Sequence, residues 1–363
     1  MSSTPYRFYA AEISYFSGKV RPMFRYKGIP YDEIAPTPQA YREIIIARTG
    51  LGFIPVVVTP EDDTLQDTSE ILDELERRFP DPPVYPPTPV QRVVSYLIEV
   101  YADEFGVLPA MHYRWSFPES EAKARKDFAA ASGNPDTAGA FADRMKGSLP
   151  FLGVSPATAP AIEAHTRELL DILSRHFETH DFLLGSRMSL ADLALMGPFY
   201  AHLYLDAVPG RLLRETAPNV CAWIERMNHP LPKSGEFVTN DAVPATLRPL
   251  LELIGRDAVP LLLDNVRAFE QWADTKPADP VEPPRGVGSH ETTLRGARFP
   301  RMTSSYTLWM VQRPLDAYRA LPPTGRAAVD RAIAGTGLDA LLTDAPRYRL
   351  GKCRFKLVFE TPR

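Results

Sequence analysis

The first eighty residues alternate between short apolar runs and stripes at helical spacing. Tyr6 to Ala10 suits a buried strand, and Gly18 to Tyr26 places apolar residues on one helix face before a stop at Gly28. Ile29 to Ile34 reads as a second strand and Pro38 to Arg48 as a helical stretch. Phe53 to Val58 is short and β-branched, as a central strand requires, and a turn follows at Pro60 to Asp63. Thr68 to Arg78 carries Ile71, Leu72 and Leu75 on one stripe, so this helix should pack on the sheet. The order βαβ, then β, then α predicts a small mixed sheet of thioredoxin-like layout.

FPDPPVYPPTP cannot continue a helix and predicts an extended linker. Beyond it the period is helical almost throughout, over 90–105, 120–131, 137–146, 159–179, 190–205, 218–227 and 246–272, which makes the second domain all α. Ser189-Leu-Ala-Asp192 has the Ser-x-x-acid form of an N-terminal cap ahead of an apolar run. Around Asp279 the pattern breaks in a second proline-rich linker, 277–284. A small α+β appendage follows, in which Tyr306 to Val311 reads as β-rich and Thr324 to Ala334 as helix. Cys353, Phe355, Leu357 and Phe359 alternate as in a strand. The expected boundaries are 5–84, 89–275 and 285–363.

Composition changes this picture little, except in charge. Hydrophobic residues make up 44% and charged residues 24%, an ordinary globular balance, while 37 prolines mark the linkers. The net charge of -4 hides an asymmetry: residues 291–363 carry 13 Lys and Arg against 6 Asp and Glu, leaving the first 290 at -11. The basic tail either docks on the acidic body, stays solvated, or meets an anionic partner. Two cysteines are too few for a disulfide framework or a zinc site. No run of eighteen apolar residues and no secretory pattern at the N-terminus is found, so a cytoplasmic protein that neither enters a membrane nor binds nucleic acid is expected. Phosphate-cradling loops and Gly-x-Ser-x-Gly are absent, which removes support for nucleotide binding and serine hydrolysis. His176 and His180 have metal-pair spacing but no third ligand nearby, so no metal is expected.

Ser14-Tyr-Phe-Ser-Gly-Lys-Val-Arg21 followed by Lys27-Gly-Ile-Pro-Tyr31 resembles the N-terminal signature of cytosolic glutathione transferases of the serine type. Gly52-Phe-Ile-Pro55 and Asp67-Thr-Ser-Glu-Ile71 resemble two further family motifs at the expected spacings. Phe182-Leu-Leu-Gly185 and Ser189-Leu-Ala-Asp192 are similar to the signature of the family's helical domain. Tyr15 departs from the proline usual after the serine, and residues after about 280 have no counterpart in ordinary members.

The resemblance implies a glutathione-dependent transferase of detoxification type, a homodimer with glutathione as cosubstrate and a small hydrophobic electrophile. Pro55 would be cis, turning the backbone of Val56 outward so that its N–H and C=O pair with the cysteinyl unit as an added strand. Asp67 would meet the γ-glutamyl ammonium, and Thr68 with the helix N-terminus its carboxylate. Arg42 and Arg48, with Lys19 behind them, are candidates for the glycyl carboxylate. Ser14, at a strand-to-helix turn, would donate a hydrogen bond to the sulfur and favour the thiolate. Ser17, Tyr9, or no catalytic hydroxyl at all remain open. Phe105, His112, Tyr113 and Trp115 are expected to wall the electrophile pocket between the domains. In the alternative reading the same fold is a non-catalytic adaptor whose C-terminal extension docks a protein partner.

Overall fold

The computed structural model describes residues 4–231, 235–275 and 282–360. Four strands form one mixed sheet in the order β2-β1-β3-β4, where β1 is Tyr6–Tyr9, β2 Tyr31–Ile34, β3 Val56–Val58 and β4 Thr64–Gln66. β1 runs parallel to β2 through the connecting helix α1, Tyr15–Lys27, and antiparallel to β3. A helical stretch α2 over 38–49 and the helix α3, Thr68–Arg78, complete a thioredoxin-like unit. The alternation in β1 explains its two faces: Phe8 enters the main core, whereas Tyr9 packs with Ile45, Val56 and Val58 beneath α2. The expected strand at 53–58 is halved, because only Val56–Val58 pairs on both sides; β4 lies one residue past the turn predicted at 60–63 and was not foreseen.

No helix or strand occupies 80–88, as the prolines dictate. The helical unit begins with α4 over 89–105, whose last turn, Tyr101–Phe105, is wider than an α-helix, and with α5, Val107–Trp115, a helix missing from the periodicity reading. Further helices cover Pro118–Ser132, Pro135–Gly147, Ala159–His176, 190–204, Ala207–Thr216 and Pro218–Asn228. The predicted cap is present: Ser189 and Asp192 bond reciprocally, and the Asp192 carboxylate also takes the Leu183 N–H at 2.9 Å and the Trp223 indole at 3.0 Å. The helix expected over 246–272 is two, Arg248–Asp257 and Val259–Asp274, broken where Pro260 lacks an N–H to continue the ladder.

The first part of the second linker, 277–281, lies outside the described residues. The appendage opens with a hairpin, β5 Gly286–Leu294 and β6 Ala297–Ser304, turning at Arg295 and Gly296, both at positive φ. Tyr306 to Val311, read as β from composition, is helix: Ser304 caps α6, Ser305–Arg319, and Leu308, Val311 and Leu315 line up as a buried helical stripe. α7 follows at Pro323–Ile333. The strand expected from Cys353 to Phe359 is instead a hairpin, β7 Leu350–Cys353 and β8 Lys356–Phe359, because Arg354 and Phe355 adopt positive φ.

The tail docks. Arg313 reaches Glu99 at 3.1 Å and Asp73 at 2.9 Å, Arg295 reaches Glu168 at 2.6 Å, and Arg347 reaches Asp274 at 3.0 Å. Leu308, Met310 and Val311 join the same apolar core as the first two units. Among the described residues no helix is long and apolar enough to cross a membrane.

Candidate functional site

Register places three chain segments at one end of the sheet. Val56 lies opposite Tyr9 on one side and Gln66 on the other, so the loop leaving β1, the Ile54-Pro55 bond entering β3 and Asp67 leaving β4 emerge together. The Ile54-Pro55 peptide is cis. Val56 itself corrects the expectation: it is fully buried on a central strand and offers no free edge, because β4 takes the side a ligand strand would need. The open backbone belongs to Ile54, whose N–H and C=O have no partner among the described residues. The sequence signal was the cis-proline itself, read two residues too late.

Ser14 caps α1, its Oγ accepting the Ser17 N–H at 3.2 Å. Accepting that bond leaves the hydroxyl proton unspent, and the half-buried side chain stands at the positive end of the helix. The other candidates are placed differently. Ser17 is fully buried with its Oγ taking the Ala11 N–H at 3.3 Å, and Tyr9 faces the cluster beneath α2. Both neighbours of Ser14 are fastened to the helical unit. The Ile13 carbonyl takes Arg114 at 3.0 Å, itself bound to buried Asp206 at 2.8 Å, and the Tyr15 hydroxyl donates to the Ala102 carbonyl at 2.5 Å. Tyr15 is thus an anchor where the family resemblance implies proline.

Leaving β4, Asp67 accepts the Ser69 N–H on Oδ1 at 3.0 Å and caps α3. Its Oδ2 is occupied from the appendage, by the Tyr306 hydroxyl and by Lys352 Nζ at 2.9 Å. Burial works against ionisation of Asp67, yet the Lys352 charge and the Tyr306 hydrogen bond hold its carboxyl below the usual range. Thr68 is buried beside it. Beneath them Lys19, fully buried, binds Asp103 at 2.6 Å, Glu99 at 2.8 Å and Ser69 Oγ at 3.2 Å, so it has no reach toward a ligand carboxylate. Arg48 is engaged with Asp62 at 2.9 Å and Thr64 at 3.2 Å, whereas Arg42 is exposed. Arg285, unforeseen, lies 4.6 Å from the ring of half-exposed Phe53, next to Ile54.

The expected electrophile wall is core. Phe105 stacks on Tyr101 at 5.5 Å and meets His165 at 4.6 Å; Tyr113 stacks on Phe117, Trp115 on Phe128, and His112 bonds Glu163 at 3.3 Å. All four are almost completely buried, because the last turn of α4, which carries Phe105, and α5, which carries the other three, are covered by neighbouring helices. Both ring nitrogens of His176 are spent on Thr246 and the Phe182 carbonyl, and burial pushes its pKa down to about 4. Among the described residues no cluster of three metal-ligating side chains occurs.

With this geometry in place, comparison with known proteins shows which family built it. The family model for the glutathione S-transferase N-terminal domain matches residues 8–83, and that for the C-terminal domain matches 150–230. The chain carries the N-terminal and C-terminal domains of a glutathione S-transferase. The two matches place the Ser14 loop, cis-Pro55 and Asp67 inside the transferase N-terminal domain and the Ser189 cap inside its helical partner. No curated protein matches significantly. Similar solved structures include a glutathione S-transferase from Methylobacterium radiotolerans JCM 2831 in complex with glutathione sulfonate. It is 22% identical with a TM-score of 0.40, over 65% of this chain and 99% of that one. Beta-etherase LigF from Sphingobium sp. strain SYK-6 is 16% identical with a TM-score of 0.45, over 63% and 97%. Glutathione transferase GSTFuA3 from Phanerochaete chrysosporium is 17% identical with a TM-score of 0.46, over 65% and 100%.

Proposed function

We propose that this transferase-family chain activates glutathione and adds it to a small apolar electrophile, by substitution, addition or ether cleavage. Ser14 donates a hydrogen bond to the glutathione sulfur, Ile54 pairs with the cysteinyl backbone, and Asp67 and Thr68 receive the γ-glutamyl end. The observation that carries this reading is the unspent Ser14 hydroxyl at a helix N-terminus beside a cis-proline with open backbone. A thiol of pKa about 8.5 is mostly protonated at neutral pH, and one hydrogen bond plus the helix dipole lowers it by a unit or more, at about 1.4 kcal/mol per unit. Nothing in the protein attacks; the cosubstrate is the nucleophile. The reading includes a cytoplasmic homodimer with units bounded at 5–84, 89–275 and 285–363. Steady-state conjugation of a chloronitrobenzene by Ser14→Ala tests it: an unchanged rate removes Ser14 from the chemistry.

A second reading is favoured by one observation, the occupation of Asp67 by the chain's own Lys352 and Tyr306. In it the fold is a non-catalytic binding module. Calorimetry with millimolar glutathione separates the two, since only the transferase binds it.

A further inference from the structure

The seat implied for the ligand's ammonium already holds an ammonium. Asp67 has two oxygens with about four lone-pair positions. One takes the Ser69 N–H; the other takes the Tyr306 hydroxyl and stands 2.9 Å from the Lys352 ammonium, an ion pair in which the buried Nζ completes no hydrogen bond among the described residues. Lys352 also lies 3.3 Å from Glu70 and 3.8 Å from the centroid of the Trp309 ring. Side-chain exposure is 9% for Lys352 and 8% for Asp67, so no ligand reaches that carboxylate while Lys352 stays.

The hairpin that delivers Lys352 does not depend on this contact. At its base the Gln312 side-chain amide donates to the Leu350 carbonyl and accepts from the Leu350 N–H, both at 2.8 Å. Arg349 pairs with Asp316 at 2.7 Å, and Phe359 packs on Trp272 and Phe269. The anchors lie on α6 and on the helix Val259–Asp274, whereas Lys352 extends from β7 across to the N-terminus of α3. A lysine is suited to leave such a seat: its long flexible stem can swing the charge to water while the hairpin remains in place.

We propose that Lys352 is a specificity-determining residue of the glutathione site, an internal occupant that closes the amino end and that a γ-glutamyl peptide must displace, ammonium for ammonium. The appendage thereby sets the affinity of a site formed by the other two units, with Tyr306 holding the carboxylate in either state. The proposal rests on the transferase reading only in taking Asp67 as the partner of the ligand's amino group.

The test is calorimetry on the full chain with two probes, glutathione and its deaminated analogue, in which hydrogen replaces the amino group. Lys352→Ala is expected to bind glutathione at least about tenfold more tightly than the native chain, because the ligand ammonium no longer competes with a tethered one. Lys352→Gln should show the same direction, and covers the case in which the alanine variant does not fold. The deaminated analogue should gain much less, having no charge to place at Asp67. Equal or weaker glutathione binding by both variants, with the native chain binding, overturns the proposal and leaves the transferase reading intact. No binding of glutathione by the native chain or by either variant overturns both.

Discussion

The two ends of the candidate site are built in opposite ways. At the thiol end Ser14 keeps an unspent proton and Ile54 an unpaired peptide, both made within the first 55 residues by a helix cap and a cis bond. At the amino end both Asp67 oxygens are engaged, Oδ1 by the neighbouring Ser69 N–H and Oδ2 by groups of the appendage, Tyr306 lying 239 positions from Asp67. Local backbone geometry thus prepares the chemistry, and a distant segment controls admission. The comparison also separates two ammonium groups flanking one helix terminus. Lys19 is sealed between Glu99 and Asp103, while Lys352 arrives from outside the transferase fold and stands at its rim.

The largest expected effect tests whether Lys19 is the fixed member of that pair. Burial opposes its charge, but Asp103 and Glu99 hold its pKa above the usual lysine value, and Arg313 and Lys19 together keep Glu99 ionised against burial. Lys19→Met strips buried carboxylates of a counter-charge, a change that costs about 3–5 kcal/mol in such settings. Denaturant unfolding should show that loss; a change under about 1 kcal/mol would mean that the floor of the closed end is not held by Lys19.

Next comes the open end. Ser14→Ala removes the hydroxyl proposed to donate to sulfur, and a rise of one to two units in the bound thiol pKa lowers the neutral-pH rate by about ten- to a hundredfold. The loss should sit in kcat and in the thiolate absorbance of the bound peptide, with KM for glutathione little changed. Stability falls too, by about 1 kcal/mol for the lost cap, which is why the spectroscopic readout decides.

Smaller again is the effect of untying Ser14 from the helical unit. Tyr15→Phe keeps the ring packed on Gly197 and His202 but deletes the bond to the Ala102 carbonyl, worth about 0.5–1.5 kcal/mol. Thermal unfolding reads that loss. An accompanying shift in the bound thiol pKa would show that the anchor also positions Ser14.

How far these two ends were legible in the chain follows from the same contrast. The thiol end depends on neighbours in sequence, so local motifs that carry the family resemblance pointed to Ser14 and to the cis-proline Pro55, while assigning to Val56 the open backbone that belongs to Ile54. Periodicity found the helical unit but not which faces were covered, and Phe105, His112, Tyr113 and Trp115 proved to be core because aromatic residues serve packing and pockets alike. The closed end depends on contacts between remote segments, for which local pattern carries no signal. The only trace was the basic tail against an acidic body, which left docking, a solvated tail and an anionic partner open. Propensity misread Tyr306 to Val311 for a related reason: β-branched and aromatic residues enter a helix readily once a cap and a buried stripe are supplied by the fold.

The last prediction expects almost no effect at one end and a steady one at the other. The folded carboxyl of Asp67 titrates below its usual value, so the stabilisation of its pairing is fully present above the unfolded pKa of about 3.9 and is lost only as pH falls through the lower folded value. Between about pH 5 and about pH 6.5 Asp67 therefore stays ionised; burial holds the carboxyl of Glu70, beside Lys352, above its usual range, so in Glu70→Gln KM for glutathione should vary less than about twofold over that interval. Over the same interval the thiolate fraction, and with it kcat, should climb about tenfold per pH unit, because the bound thiol is still mostly protonated there. In that variant a KM that rises as pH falls from about 6.5 to about 5 would mean that Asp67 takes up a proton in that window, against the Lys352 charge and the Tyr306 hydrogen bond that hold it ionised.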